Sequence, residues 1–475
     1  MRARLPVTPV IALLIALAAC GCRRQRDASA RTHGTAEQLR DRALAGSRAA
    51  DHVRSLTDQV GPRLSGSEGD EKAVTWCLST MKSLGLTGVR AEAVNVVHWV
   101  RGEERGEVFL PSAHELTLTA LGGSVPTPGD QPLLGDVIEA ASLEALDALP
   151  DDAVKGKIVF LHKPMERTHD GSGYGKAVDV RGQGAVRAAR KGAVGVLIRS
   201  VTPSEARLPH TGAMRYADDV PKIPAAALAV PDAMLLHRLL QGGKTVRVGF
   251  TLTCHREPDA PSANVVGEVV GRERADEVVL LGAHLDSWDL GTGALDDGAG
   301  VGVILEAGRM LAELPTHPRR TVRIVLYANE ENGLRGGIGY AKAHEKELDK
   351  HVVALELDLG TDKVAGLSYL AAPEAAKTIG DMARPLLALG IDGPVPAEHV
   401  GADISVLRPF GVPMVNLNQD ASRYFDVHHS ADDTFDKIDR KSLDQVVAAT
   451  VAFAYAAAEA PVDLGRLPEA MRKEK

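Results

Sequence analysis

The sequence predicts an α/β fold: a mixed sheet with a mostly parallel core, flanked by helices, and a smaller α/β domain inserted into it. Three observations point there. From about residue 260, buried strand-like runs alternate with helical ones. His and carboxylate clusters fall where those strands end. A Gly/Pro-rich break, "GGSVPTPGDQP" at 122–132, opens a second run of alternation before the first resumes. Such alternation favours parallel strands covered by helices on both faces. Sites in such sheets lie at the carboxyl ends of the strands.

The elements follow in order. The 475 residues exceed one typical core of roughly 100–200 residues, so two or more domains are expected. Arg2 and Arg4 precede an apolar run from Val10 to Ala19, too short to span a bilayer, and 1–19 reads as a cleaved export signal. Residues 20–35 read as a tether. Residues 36–85 look helical, interrupted at "VGPRLSGSEG" (60–69) by Pro62, Gly66 and Gly69. Val74, Cys77, Leu78 and Met81 then recur at helical spacing, and 87–121 is strand-like. The insert, 122–254, has strands at 155–164 and 244–254 and a helix–turn–strand at 186–200. Its segment 222–243 gives a strand, then a helix opening at Pro231-Asp232 and stopped by Gly242-Gly243. His162, His169 and His210 are scattered there and read as loop or surface residues; no chemistry is expected of this module. Strands follow at 277–286, 320–331, 351–360 and 412–419, and helices at 299–314, from 336, 375–390 and 441–459. Residues 36–121 and 255–461 thus form one domain around the insert, and 462–475 is a polar tail.

Composition narrows the function. The 44% hydrophobic and 25% charged fractions are ordinary for a globular protein. Aromatics are only 4%, so the cores rest on Ala, Val and Leu. A net charge of -8 argues against nucleic acid or an anionic membrane surface as main partner. Beyond Cys20, the thiols Cys22, Cys77 and Cys254 form no disulfide framework. An oxidising compartment would permit one bridge, for example Cys77–Cys254.

The chemistry-bearing residues sit at strand ends. "LLGAHLDSWDLGTGALDDGAG" (280–300) holds His284, Asp286, Asp289, Asp296 and Asp297. His284 and Asp286 share one side if the strand continues. Glu330 and Glu331 follow the strand ending at Tyr327-Ala328, Asp358 ends "VALELD", and His428-His429 lie in "FDVHHSADDTFDKID". Singly, each is ordinary: an Asp-Asp before a helix is commonly a cap. Together, carboxylates this dense repel one another, and a divalent cation relieves that repulsion. Mixed His and carboxylate donors suit zinc. In "GADISVLRPFGVP" (401–413), Asp403 is a candidate for a substrate amino group, or a helix cap. Asp289 and Asp297 read as structural.

The ordered set "HLD…LDDGAGVG…NEENGL…LELD…HHSADDT" resembles the M28 family of dizinc aminopeptidases and carboxypeptidases. The insert resembles the protease-associated domain some branches carry. Length, insertion and "HHSADDT" look closest to the plasma glutamate carboxypeptidase branch, whose members are dipeptidases. The resemblance implies a zinc-peptidase fold and an exported exopeptidase acting on small peptides through two zinc ions. It makes His284, Asp296 (bridging), Glu331, Asp358 and His429 the ligands. His429 is preferred over His428 because His-[Ser/Thr]-x-x-Asp-Thr fits His429 to Thr434. Asp286 would hold the imidazole of His284, and Glu330 would be the general base. Where some relatives have an oxyanion-binding Tyr, this chain has His428; either His428 or Tyr424 takes that role. The Asp296–Asp297 peptide would be cis. An aminopeptidase, a non-catalytic binding protein on this scaffold and a single-zinc acyl-transfer enzyme are the alternatives. The branch implies a homodimer. Leu17-Ala18-Ala19-Cys20 resembles a bacterial lipobox, which would lipidate Cys20 and anchor the protein in the cell envelope; an ordinary signal cleaved near Ala19 or Ala30 is the other option.

Overall fold

The computed structural model describes residues 32–129 and 131–473. The leader and the proposed lipidation site at Cys20 lie outside them. Two eight-stranded sheets dominate. The first runs Thr87–Val96, Ala260–Val269, Arg320–Tyr327, Arg274–His284, His351–Glu356, Met414–Gln419, Val364–Leu370, Val395–Pro396. Its central four strands are parallel, and antiparallel pairs flank them. Every residue of Arg320–Tyr327 is buried, as expected of a strand covered on both faces. Its two arginines are matched: Arg320 pairs with Glu277 and Arg323 with Glu268.

Helices Ala49–Gln59, Ala299–Ala312 and Arg440–Glu459 pack together on this sheet. Small residues let them approach. A Cβ on Gly302 would stand 2.8 Å from the Ala49 carbonyl oxygen and 2.7 Å from a Val53 methyl. The core is thus built from Ala, Val and Leu, as the scarcity of aromatics requires.

The second sheet runs His114–Leu116, Glu104–Leu110, Arg247–Leu252, Leu133–Ala140, Ile158–Leu161, Gly195–Arg199, Ala225–Leu228, Leu118–Ala120. Three of its strands precede residue 122, so the insert begins earlier than the Gly/Pro break. Its neck is a two-stranded ribbon, Trp99–Val100 against His255–Arg256. The break itself is a loop within the insert, where Ser124 O accepts the Trp99 indole N–H at 3.0 Å.

Other boundaries shift as well. The tether overlaps a helix that spans 32–44. The strand at 351 stops at Glu356, two residues before Asp358. The antiparallel strand Val364–Leu370 was not foreseen, because Gly366 and Ser368 break its apolar pattern. The segment after 461 is no free tail: Leu467 is fully buried, and Arg408 donates to the Met471 carbonyl. Cys77 and Cys254 are both free, buried in separate apolar clusters, so the bridge considered between them does not form. Among the described residues no helix is long and apolar enough to cross a membrane.

Candidate metal centre

The strand Arg274–His284 delivers His284 to the carboxyl edge of the parallel sheet. Its Nδ1 faces the Asp286 main-chain carbonyl at 2.9 Å. Donation there leaves Nε2 directed at Asp296 Oδ1, 3.1 Å away, and Asp358 Oδ1, 3.4 Å away. The orienting atom is therefore a backbone carbonyl, not the predicted Asp286 carboxylate, which lies 3.8 Å off. That carboxylate instead accepts from Ser65 Oγ at 2.8 Å and from the Glu330 N–H at 3.0 Å. It thus positions the Glu330 main chain.

The loop after His284 is fixed by further carboxylates. Asp297 accepts from the His284 N–H and, at the start of the next helix, from the Gly300 N–H. Asp289 is bidentate to Arg101. Both are structural, as read from sequence. Asp433 accepts from the Leu295 and Asp296 N–H groups and so aims Asp296; the Asp296–Asp297 peptide is cis. Arg63, fully buried, donates to the carbonyls of Leu285, Thr292 and Gly293.

The remaining donors come from later segments. Asn329, in the left-handed region at φ 63°, turns the chain so that Glu330 and Glu331 diverge. Glu331 Oε2 lies 3.0 Å from His429 Nε2, and its Oε1 accepts the Trp288 N–H at 3.2 Å. His429 Nε2 also lies 3.1 Å from Asp296 Oδ2. Asp296 thus presents Oδ1 to His284, which also meets Asp358, and Oδ2 to His429, which also meets Glu331. His428 stands further back, with Nε2 3.6 Å from Asp296 Oδ2 and its ring stacked on His429. Tyr424 is buried and packs on His428. Asp403 is not the helix cap that was the alternative reading of it. It is fully buried, neither oxygen has a hydrogen-bond partner, and it caps nothing. Glu356 caps that helix instead, accepting from the Ala402, Asp403 and Ile404 N–H groups.

The electrostatics fit a cation. Burial pushes Glu331 up to about 7, with Asp296 adding to it. Burial likewise raises Glu330; His284 opposes this, and the Asp358 and Glu331 charges add to it. Burial alone would lower His429, but Glu331 and Asp296 lift it to about 9. Asp296 Oδ2 and Asp358 Oδ1 are buried oxygens without a hydrogen-bond partner, which is costly unless a cation compensates. Two imidazoles and three carboxylates converging in this way match the donor preference of zinc.

Sequence reasoning missed the contribution of the insert. His210, read as a loop or surface residue, is buried; burial lowers its pKa to about 3, and its Nδ1 lies 2.6 Å from the His428 carbonyl. Arg181 and Tyr174 also reach the His428–His429 pair. The insert holds a cluster of its own, Glu139, His162 and His237. Arg199 faces His162 Nε2 at 3.3 Å, which keeps that proton on Nδ1, beside Glu139 at 3.1 Å. His237 Nδ1 meets the same carboxylate at 2.7 Å. The cluster is thus closed on itself and balanced by Arg199. His169 is exposed, as expected.

Residues 264–454 match Peptidase family M28. Mouse carboxypeptidase Q is 36% identical over 412 residues, covering 87% of this chain and 86% of that protein. Aminopeptidase YwaD of Bacillus subtilis is 25% identical over 440 residues, covering 89% and 84%. Among solved structures, a Peptidase M28 precursor from Shewanella amazonensis SB2B superposes with a TM-score of 0.90 at 43% identity, covering 93% of this chain and 99% of that one. BSAP, a zinc aminopeptidase from Bacillus subtilis, gives 0.62 at 23% identity, covering 86% and 94%, a likeness of fold. With the fold and this degree of identity along nearly its whole length, the chain belongs to the M28 family of metallopeptidases.

Proposed function

We propose that the protein is an exported dizinc exopeptidase that hydrolyses dipeptides or removes N-terminal residues. One observation supports the two-ion reading: the two oxygens of Asp296 face different imidazoles, His284, which is paired with Asp358, and His429, which is paired with Glu331. Zinc held there would polarise the scissile carbonyl and lower the pKa of water to roughly 7.

The protein's own groups do the rest. Glu330, its main chain fixed by Asp286, takes a proton from the attacking water and returns it to the leaving amine. Its burial among carboxylates favours proton uptake. His428, stacked on His429, or Tyr424, packed on His428, donates to the developing oxyanion. Glu330→Ala is expected to cut dipeptide hydrolysis by about 10²–10⁴-fold with zinc content unchanged; retention within tenfold of wild type would remove Glu330 from the role.

The carboxypeptidase Q relatives favour cleavage beside a free carboxylate, and the Bacillus relative favours an aminopeptidase. Comparing dipeptides, tripeptides and aminoacyl anilides separates the two. A dipeptidase cleaves only the first efficiently. Export rests on the leader sequence, and anchoring on lipidation of Cys20, readable as the mass of the mature N-terminus.

A further inference from the structure

The segment carrying His429 is gripped by the inserted domain. Thr202 Oγ1 donates to the Phe425 carbonyl at 2.6 Å. His210 Nδ1 meets the His428 carbonyl at 2.6 Å. The Thr211 N–H donates to the His429 carbonyl at 2.9 Å, and His429 Nδ1 lies 3.3 Å from the Thr211 carbonyl. This clamp is rooted in the insert's own sheet: Ser200 Oγ accepts the His210 N–H and donates to the Leu228 carbonyl. The grip holds an unfavourable backbone, because His429 sits at φ 61°, a conformation that costs roughly 1 kcal/mol or more for a residue with a side chain.

The Thr211 carbonyl matters because it can only accept. A metal on Nε2 of a neutral imidazole requires the proton on Nδ1, and that proton needs an acceptor. Arg181 Nη1 stands 3.4 Å from His429 Nδ1 and 3.4 Å from the same carbonyl. Once Nδ1 carries its proton, Arg181 is left to share the Thr211 oxygen. The fit leaves no space for a side chain. At Gly212 (φ 132°) a Cβ would stand 2.7 Å from His429 Nδ1 and 2.3 Å from Arg181 Nη1.

We propose that the inserted domain is a working part of the metal centre. Its 200–212 segment orients His429 and offers an acceptor for the Nδ1 proton that a metal on Nε2 requires, and so sets metal affinity on the His429–Glu331 side. Thr202, His210, Thr211 and Gly212 are positioning residues. The inference rests on His429 being a metal ligand.

The test is zinc affinity of the full chain, measured by competition with a chromogenic chelator that resolves two binding steps. Gly212→Ala is expected to weaken one step by about 10–100-fold and leave the other unchanged, the range seen when groups orienting a ligand are lost. Thr202→Val, a milder change, is expected to weaken the same step about 5–10-fold, and Thr202→Ser, which keeps the hydroxyl, to restore it. Glu139→Gln, elsewhere in the insert, is expected to change neither step. Wild-type affinity for both steps in Gly212→Ala and Thr202→Val would overturn the proposal, as would equal weakening of both steps. If Gly212→Ala fails to fold, the Thr202 pair decides. His429→Ala separates the two readings. If it binds two zinc ions normally, His429 is no ligand; if it loses one while the insert variants do not, only the role of the insert fails.

Discussion

Replacing Arg63 by Met should loosen the whole metal loop. The Arg63 side chain is fully buried and donates to three carbonyls of the 285–293 loop, those of Thr292 and Gly293 at 2.7 and 2.8 Å. Burial pulls its pKa down, while Asp433, Asp286, Asp297 and Asp296 oppose that, so it is also the cation facing the acidic loop. Hydrogen bonds from a charged donor contribute about 1.5–3 kcal/mol each; three give a gross loss of about 4.5–9. Met restores much of the apolar stem contact, and the carbonyls relax in part. A net loss of about 3–5 kcal/mol is expected, because three buried carbonyls lose their donor, at about 1–3 kcal/mol each before relaxation. That is a large fraction of the about 5–15 kcal/mol a folded protein has. Urea denaturation of wild type, Arg63→Met and Arg63→Lys reads it. Lys, with one donor centre instead of a fork, should fall between the other two. If both variants lie within about 1 kcal/mol of wild type, the guanidinium does not organise the loop.

Further outcomes can be measured independently. Burial alone would raise Glu306, but Arg309, His52 and the Arg48 N–H hold it down to about 2. Since the folded pKa lies below the unfolded one, its stabilisation is full above about 4.5 and lost as pH falls towards 2. At about 1.4 kcal/mol per pKa unit this is at most roughly 3 kcal/mol. The stability gap between wild type and Glu306→Gln should therefore shrink across that range; a pH-independent gap contradicts it. Asp433→Asn puts an NH₂ group against one of the two backbone N–H donors that Asp433 satisfies and should weaken zinc binding about 10–100-fold, seen by chelator competition. With residues 1–31 removed, Ellman's reagent should find no reactive thiol in the native protein and two after denaturation, because Cys77 and Cys254 are buried and burial raises both pKa values.

The parallel core was legible because its strands are continuous apolar runs ending in His or carboxylate. His284, Asp296, Glu331, Asp358 and His429 converge as the ordered motifs implied. The supporting contacts were not legible, since they join residues far apart in sequence. Arg63 and His284's loop are more than 200 residues apart, and nothing in "GPRLSG" marks a buried guanidinium. Asp286 shows the limit of reading roles by side chain, for the group that meets His284 is its main-chain carbonyl. The insert's start was misplaced because Glu104–Leu110 and His114–Leu116 carry polar, half-exposed patterns that do not reveal which sheet they join. His210 looked like a surface residue, since only the fold brings it against His428.

The central claim is a two-ion centre organised by one carboxylate, and anomalous diffraction at the zinc edge on zinc-loaded crystals tests it directly. Two peaks are expected, one beside His284 and Asp358, the other beside His429 and Glu331, with an Asp296 oxygen facing each. A single peak, or a second one held by His428 instead of His429, would contradict it.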